Sequence, residues 1–112
     1  MTTDHKGAEA MLEAYHLVTG PRQNAYSHPT DDYGKVVDIF RALTGVELTV
    51  DQAILFMVSV KMARLRTNLV DNTLHRDSLV DAIGYLGCLS MHLENLGMVG
   101  TLAHDRQWSD KD

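Results

Sequence analysis

The chain has 112 residues, 45% of them hydrophobic, and a formal net charge of −5. That is enough for one domain with one modest core, and too apolar for a disordered segment. The acidic balance and the lack of any lysine-rich run exclude a duplex nucleic-acid binder, which needs a basic surface, whereas a pocket for a free nucleotide needs only a few cations.

The single cysteine, Cys88, rules out an internal disulfide and fits a reducing cytoplasm. Its setting among Gly84, Leu86 and Leu89 predicts a buried small hydrophobe rather than a nucleophile. The start of the chain, Met1 to Gly7, lacks the apolar core of a signal peptide. No apolar run approaches the roughly 20 residues that span a bilayer, so a soluble, intracellular protein with no membrane partner is expected.

The first helix is expected from about Gly7 to Thr19, with Ala8, Met11, Leu12, Tyr15 and Val18 at helical spacing and Gly20-Pro21 as its stop. Arg22 to Pro29 reads as a polar loop. A second helix is expected from Asp32 to Thr44, turning Val36, Val37, Ile39, Phe40 and Leu43 inward and ending at Gly45. Val46 to Val50 alternates but is too short, and lacks a partner, to be a strand.

Thr49 with Gln52 three residues on is a capping box, and it opens a third helix running to about Arg66. Thr67 to Thr73 reads as a loop. The fourth helix is expected from about Leu74 to Leu96, with Leu79, Val80, Ile83, Leu86, Leu89 and Leu93 as its apolar series and Gly97 at its end. The expected fold is all-α, a single four-helix-bundle-like domain over 1–97 followed by a polar tail over 98–112. The third helix is apolar nearly all round, which is hard to bury in so short a chain and favours a homo-oligomer. Gly84 and Gly87, one turn apart in mid-helix, suggest a close approach within the chain or across that interface.

Within this frame the charges that matter are few. Lys61 and Arg64 share one face of the apolar third helix. They either snorkel or pair with Asp77 and Asp81, or they hold a phosphate or carboxylate, for which Arg offers a planar fork and Lys a point charge. Asp77, Asp81 and Tyr85 form an i, i+4, i+8 stripe on the fourth helix. The two carboxylates are candidates for a salt bridge, for a magnesium ion that would need further oxygen donors, or for ligand hydroxyls. In the loop, Tyr26 and His28 can stack on a planar base while Arg22 and Asn24 donate hydrogen bonds. The six histidines show no metal-ligand spacing, and there is no Ser-His-Asp arrangement, Walker loop or dinucleotide fingerprint.

The ordered set Arg22-x-x-x-Tyr26-x-x-Pro29, Lys61-x-x-Arg64 and His75-x-Asp77-Ser78-x-x-Asp81-x-x-x-Tyr85 resembles a family of small phage and prophage proteins of unassigned function. The match covers about residues 8 to 95, and Ser27 stands where that family more often has Gly. The family in turn resembles the all-α nucleotide pyrophosphatases of the MazG and dimeric dUTPase-like kind. Those are helical homo-oligomers that hydrolyse nucleoside triphosphates with magnesium held by acids on two helices. The resemblance implies a MazG-like fold in the cytoplasm of a bacterial host and a nucleotide site between the third and fourth helices. It does not imply hydrolysis, because Lys61-x-x-Arg64 stands where those enzymes carry a pair of acids.

The reading that follows is a phage-type protein that binds a nucleotide or nucleotide-derived signal and sequesters it against host defence. Lys61 and Arg64 would hold phosphate. Asp77, Ser78 and Asp81 would take ribose or base donors, with Asp77 and Asp81 as magnesium ligands if a metal is used, Arg22, Tyr26 and His28 would close over the base, and Asn24, His75 and Tyr85 are counted with them as ligand-binding residues. The alternatives are a magnesium-dependent pyrophosphatase and a protein-interaction module in which the charges are internal ion pairs.

Overall fold

Hydrogen bonds at the helix ends decide where the elements begin and stop. In the computed structural model, which describes residues 3–20 and 28–98, a 3-10 segment (Thr3–Ala8) leads into α1 (Glu9–Thr19), followed by α2 (Pro29–Thr44), α3 (Val50–Leu69) and α4 (Arg76–Asn95). The described residues contain no strand. The expected capping box opens α3: Gln52 N donates to Thr49 Oγ1 at 3.2 Å and Thr49 N to Gln52 Oε1 at 3.0 Å. Gly45 closes α2 in the left-handed region, with φ of 77° and its N–H on the Arg41 carbonyl at 2.8 Å.

Besides α1, which begins at Glu9 rather than about Gly7 because the turn before it is 3-10, three boundaries differ from expectation, each for a local reason. α2 begins at Pro29, not Asp32, because proline suits the first helical position, where an N–H would be unpaired anyway. His28 then serves as the cap, its Nδ1 accepting from Thr30 N at 3.1 Å. α3 continues to Leu69 through the expected loop, with Thr67 Oγ1 and Asn68 Nδ2 donating back to the carbonyls of Ala63 and Arg64. α4 starts at Arg76, two residues late, because His75 is its cap and accepts from Ser78 N at 3.3 Å.

α4 is the hub. It packs against α1, α2 and α3, whereas α1 meets no other helix of the four. The α1–α4 seam is the core: Ala10 and Ala14 lie against Val80, with Leu17, Leu79 and Ile83 packed around them. Arg76 and Glu13 pair across this seam at 2.8 Å. Both are half exposed, so the pair positions more than it stabilises. The start of α2 is tied to the end of α4 through Thr30 Oγ1, which lies 2.9 Å from His92 Nδ1 and accepts from Asn95 Nδ2 at 3.2 Å.

The glycine expectation needs adjusting. α1 does lie over Gly84 and Gly87, but a Cβ there would sit 3.5 and 3.9 Å from the Val18 methyls, an ordinary contact rather than a forced one. Ile54 and Leu65 bury one side of α3, yet Leu55, Phe56 and Met62 on its other sides are exposed, as are Val36, Ile39 and Leu43 on α2. No helix among the described residues is long and apolar enough to cross a membrane. Of the expected polar tail, 99–112 lie outside the described residues.

Candidate functional site

Four helices leave a cavity of about 430 Å³ between them. α1 contributes Leu17 and Val18, and α3 contributes Met57. The remaining wall comes from two helical stripes. On α2, Pro29 and Tyr33 are one turn apart, as are Asp32 and Val36. On α4, Asp81 and Tyr85 repeat that spacing, with Gly84 and Cys88 beside them and Val80 behind. The volume lies within the range of small-molecule pockets, which are mainly apolar with a few placed polar groups.

The polar groups are two carboxylates, two phenols and a thiol. The Tyr33 and Tyr85 rings meet edge to face, with centroids 6.4 Å apart and planes at 82°. Burial pushes the Tyr33 phenol far above its ordinary value, and Cys88, Tyr85 and Asp32 add to the effect. Burial also raises the Cys88 thiol, with a further push from Asp32. Both groups therefore stay protonated at neutral pH. Cys88 is the buried small residue expected of it, and in addition it forms part of the cavity wall.

Lys61 reaches this wall from behind. Its Nζ lies 3.0 Å from Asp81 Oδ2, and its side chain is only 14% exposed. Pairing is the physical condition for an ammonium at that depth. Of the two ways of reading the basic pair, Lys61 thus follows the ion-pair one. Arg64 sits on the exposed side of α3 and makes no ion pair among the described residues.

The other expected site residues divide as follows. Asp81 and Tyr85 line the cavity, whereas Asp77 does not: it is exposed in the first turn of α4, where a carboxylate suits the helix dipole. Asp77 and Asp81 are therefore not joined at this cavity. Ser78 is 1% exposed and its Oγ lies 2.6 Å from His75 Nδ1, so this pair is an internal cap. His28 likewise uses its Nδ1 to cap α2, next to Pro29 at the cavity edge. Arg22, Asn24 and Tyr26 lie outside the described residues. α3 and α4 pack directly on each other, and the cavity opens where they meet α1 and α2, with Met57 of α3 and Asp81 of α4 both on its wall.

Sequence reasoning missed Asp32, Tyr33 and Met57. The available signal was the run Asp31-Asp32-Tyr33, in which one acid and one aromatic must share a face with Pro29 or Val36 once the helix starts at Pro29. Among the described residues, no three His, Cys, Asp or Glu side chains gather closely enough to hold a metal ion.

The chain belongs to the family described as the domain of unknown function DUF6378, whose model matches residues 9–92. That span contains every residue of the cavity wall. Among curated proteins, the chain is 30% identical over 83 residues to the Gene 55 protein of Mycobacterium phage D29, covering 73% of this chain and 52% of that protein. It is 29% identical over 80 residues to the Gene 55 protein of Mycobacterium phage L5, covering 70% and 49%. These relatives bear out the resemblance to phage proteins of unassigned function, and the chain spans about half their length. No solved structure matches it.

Proposed function

We propose that the protein binds a nucleotide or nucleotide-derived small molecule, with the nucleoside half held in the cavity between α1, α2 and α4. The observation that carries this reading is the pairing of a cavity of about 430 Å³ with the Tyr33 and Tyr85 rings, two carboxylates and a lysine one hydrogen bond behind. Aromatic rings offer a planar base stacking or edge contacts. Carboxylates accept from sugar hydroxyls and base amines. The resemblance to MazG-like enzymes points to the same class of ligand.

Binding without hydrolysis is the favoured form. Two cavity carboxylates, one already paired with Lys61, are a thin donor set for magnesium, which demands an octahedron of oxygens. The phage relatives suit a sequestering protein that removes a nucleotide signal of host defence. The exposed apolar side chains of α2 and α3 support a homo-oligomer as the working form.

Calorimetry of the purified protein against mono-, tri- and cyclic nucleotides tests this. Saturable binding is expected for at least one of them. Tyr85→Ala should weaken it about tenfold, as loss of one base–aromatic contact does, with the far-UV spectrum unchanged. Heat absent across the whole panel would sink the reading. Conversion of a triphosphate to its monophosphate with magnesium or manganese would replace sequestration with the pyrophosphatase.

A further inference from the structure

The polar groups of the cavity wall are unbalanced between donors and acceptors. Asp32 and Asp81 are acceptors only when ionised. Lys61, the cation nearest the wall through Asp81, is already engaged by that carboxylate at 3.0 Å. Asp32 makes one ion pair among the described residues, with Lys35 at 3.9 Å, and the Lys35 side chain is 70% exposed. A long, exposed i, i+3 pair of this kind leaves the Asp32 carboxylate mostly unsatisfied when water is displaced from the cavity. The Tyr33 and Tyr85 hydroxyls and the Cys88 thiol are the donors of the wall, fewer than the lone pairs that the two carboxylates present.

An incoming ligand that removes water from Asp32 without replacing those hydrogen bonds loses the full desolvation cost. A ligand that brings N–H donors recovers it, and one with two adjacent donors recovers most, because a carboxylate accepts in parallel through both oxygens. Among the common bases, guanine alone presents two adjacent donors, its ring N–H and its exocyclic amine. Adenine and cytosine place an amine beside an acceptor nitrogen. Uracil has one N–H flanked by two carbonyls, which would face the carboxylate with like partial charge.

Resting on the nucleotide reading above, we propose that the cavity selects a base by its N–H donors, guanine foremost, and that Asp32 is the residue that reads them. The same argument explains why Lys61 and Arg64 are not the specificity residues: one is engaged by Asp81 and the other lies on the exposed side of α3.

The test is calorimetry of the full chain with GMP, AMP, CMP and UMP, for wild type and for Asp32→Asn. Wild type should bind GMP at least about tenfold tighter than UMP, since a site that pairs with two adjacent N–H donors discriminates strongly against a base that offers only one, flanked by carbonyls. Asp32→Asn, which swaps one acceptor for a donor, should reduce that preference to about twofold or less. Equal affinity for GMP and UMP in wild type, or a preference that survives Asp32→Asn, would overturn the role of Asp32 and leave nucleotide binding standing. Binding of none of the four nor of any other nucleotide would remove both. The wild-type ranking needs no variant, so a poorly folded Asp32→Asn does not spare the proposal.

Discussion

Lys61 and Asp81 show how burial decides the meaning of a charge. A lysine 14% exposed on an apolar helix needs a partner, and Asp81 supplies one while itself remaining 40% exposed at the cavity. Removing Asp81 leaves the ammonium charged and poorly solvated, whereas removing Lys61 leaves a carboxylate that water partly reaches, a smaller cost. Removing both leaves a helix face that packs as well as before. Lys61→Met and Asp81→Asn should therefore each destabilise, and the double variant should cost less than their sum by about 1–2 kcal/mol, between the values for exposed and buried pairs. Urea denaturation of the four proteins measures this. Strict additivity would mean that water, not Asp81, solvates the ammonium.

At the scale of elements, propensity and packing compete at the glycines of α4. Gly in mid-helix costs roughly 1 kcal/mol relative to Ala, and a methyl at Gly87 would meet only Val18, at 3.9 Å. Gly87→Ala should thus raise stability by about 0.5–1 kcal/mol, visible as a higher Tm. A fall would reveal a tighter neighbour than Val18, such as a second copy of the chain. The helix ends were the part of the fold most legible in sequence, because a cap is a contact between residues close in the chain: Thr49 with Gln52 was read correctly for that reason. His28 and His75 were not read as caps, since histidine is not an ordinary choice for that position. The site was legible by half. Asp81 and Tyr85 announce themselves by their spacing, but Asp32 does not, because Asp31 and Asp32 are 100° apart on one helix and only the phase of α2 against α4 decides which faces the cavity.

At the scale of the whole molecule, the apolar surface asks for a partner. Leu43 is 78% exposed and Phe56 61%, and Ile39, Leu55 and Met62 are exposed as well. Single exposed apolar residues are ordinary, but several on two helices are the surface that the proposed homo-oligomer would cover. Light scattering after size exclusion should give a mass at a multiple of 12.5 kDa, and Leu43→Glu combined with Phe56→Glu should return it to a single chain. A monomer at micromolar concentration in the wild type would refute the second copy. The hub position of α4 has one further consequence. α1 has no helix to lie against except α4, and five of the cavity residues are on α4, more than sixty positions later in the chain than the first of them on α1. During synthesis, therefore, α1 leaves the ribosome before the helix it packs on. The pocket closes into shape only when the last of the four helices has emerged, so a nascent chain halted before Cys88 would have no place for a ligand to bind.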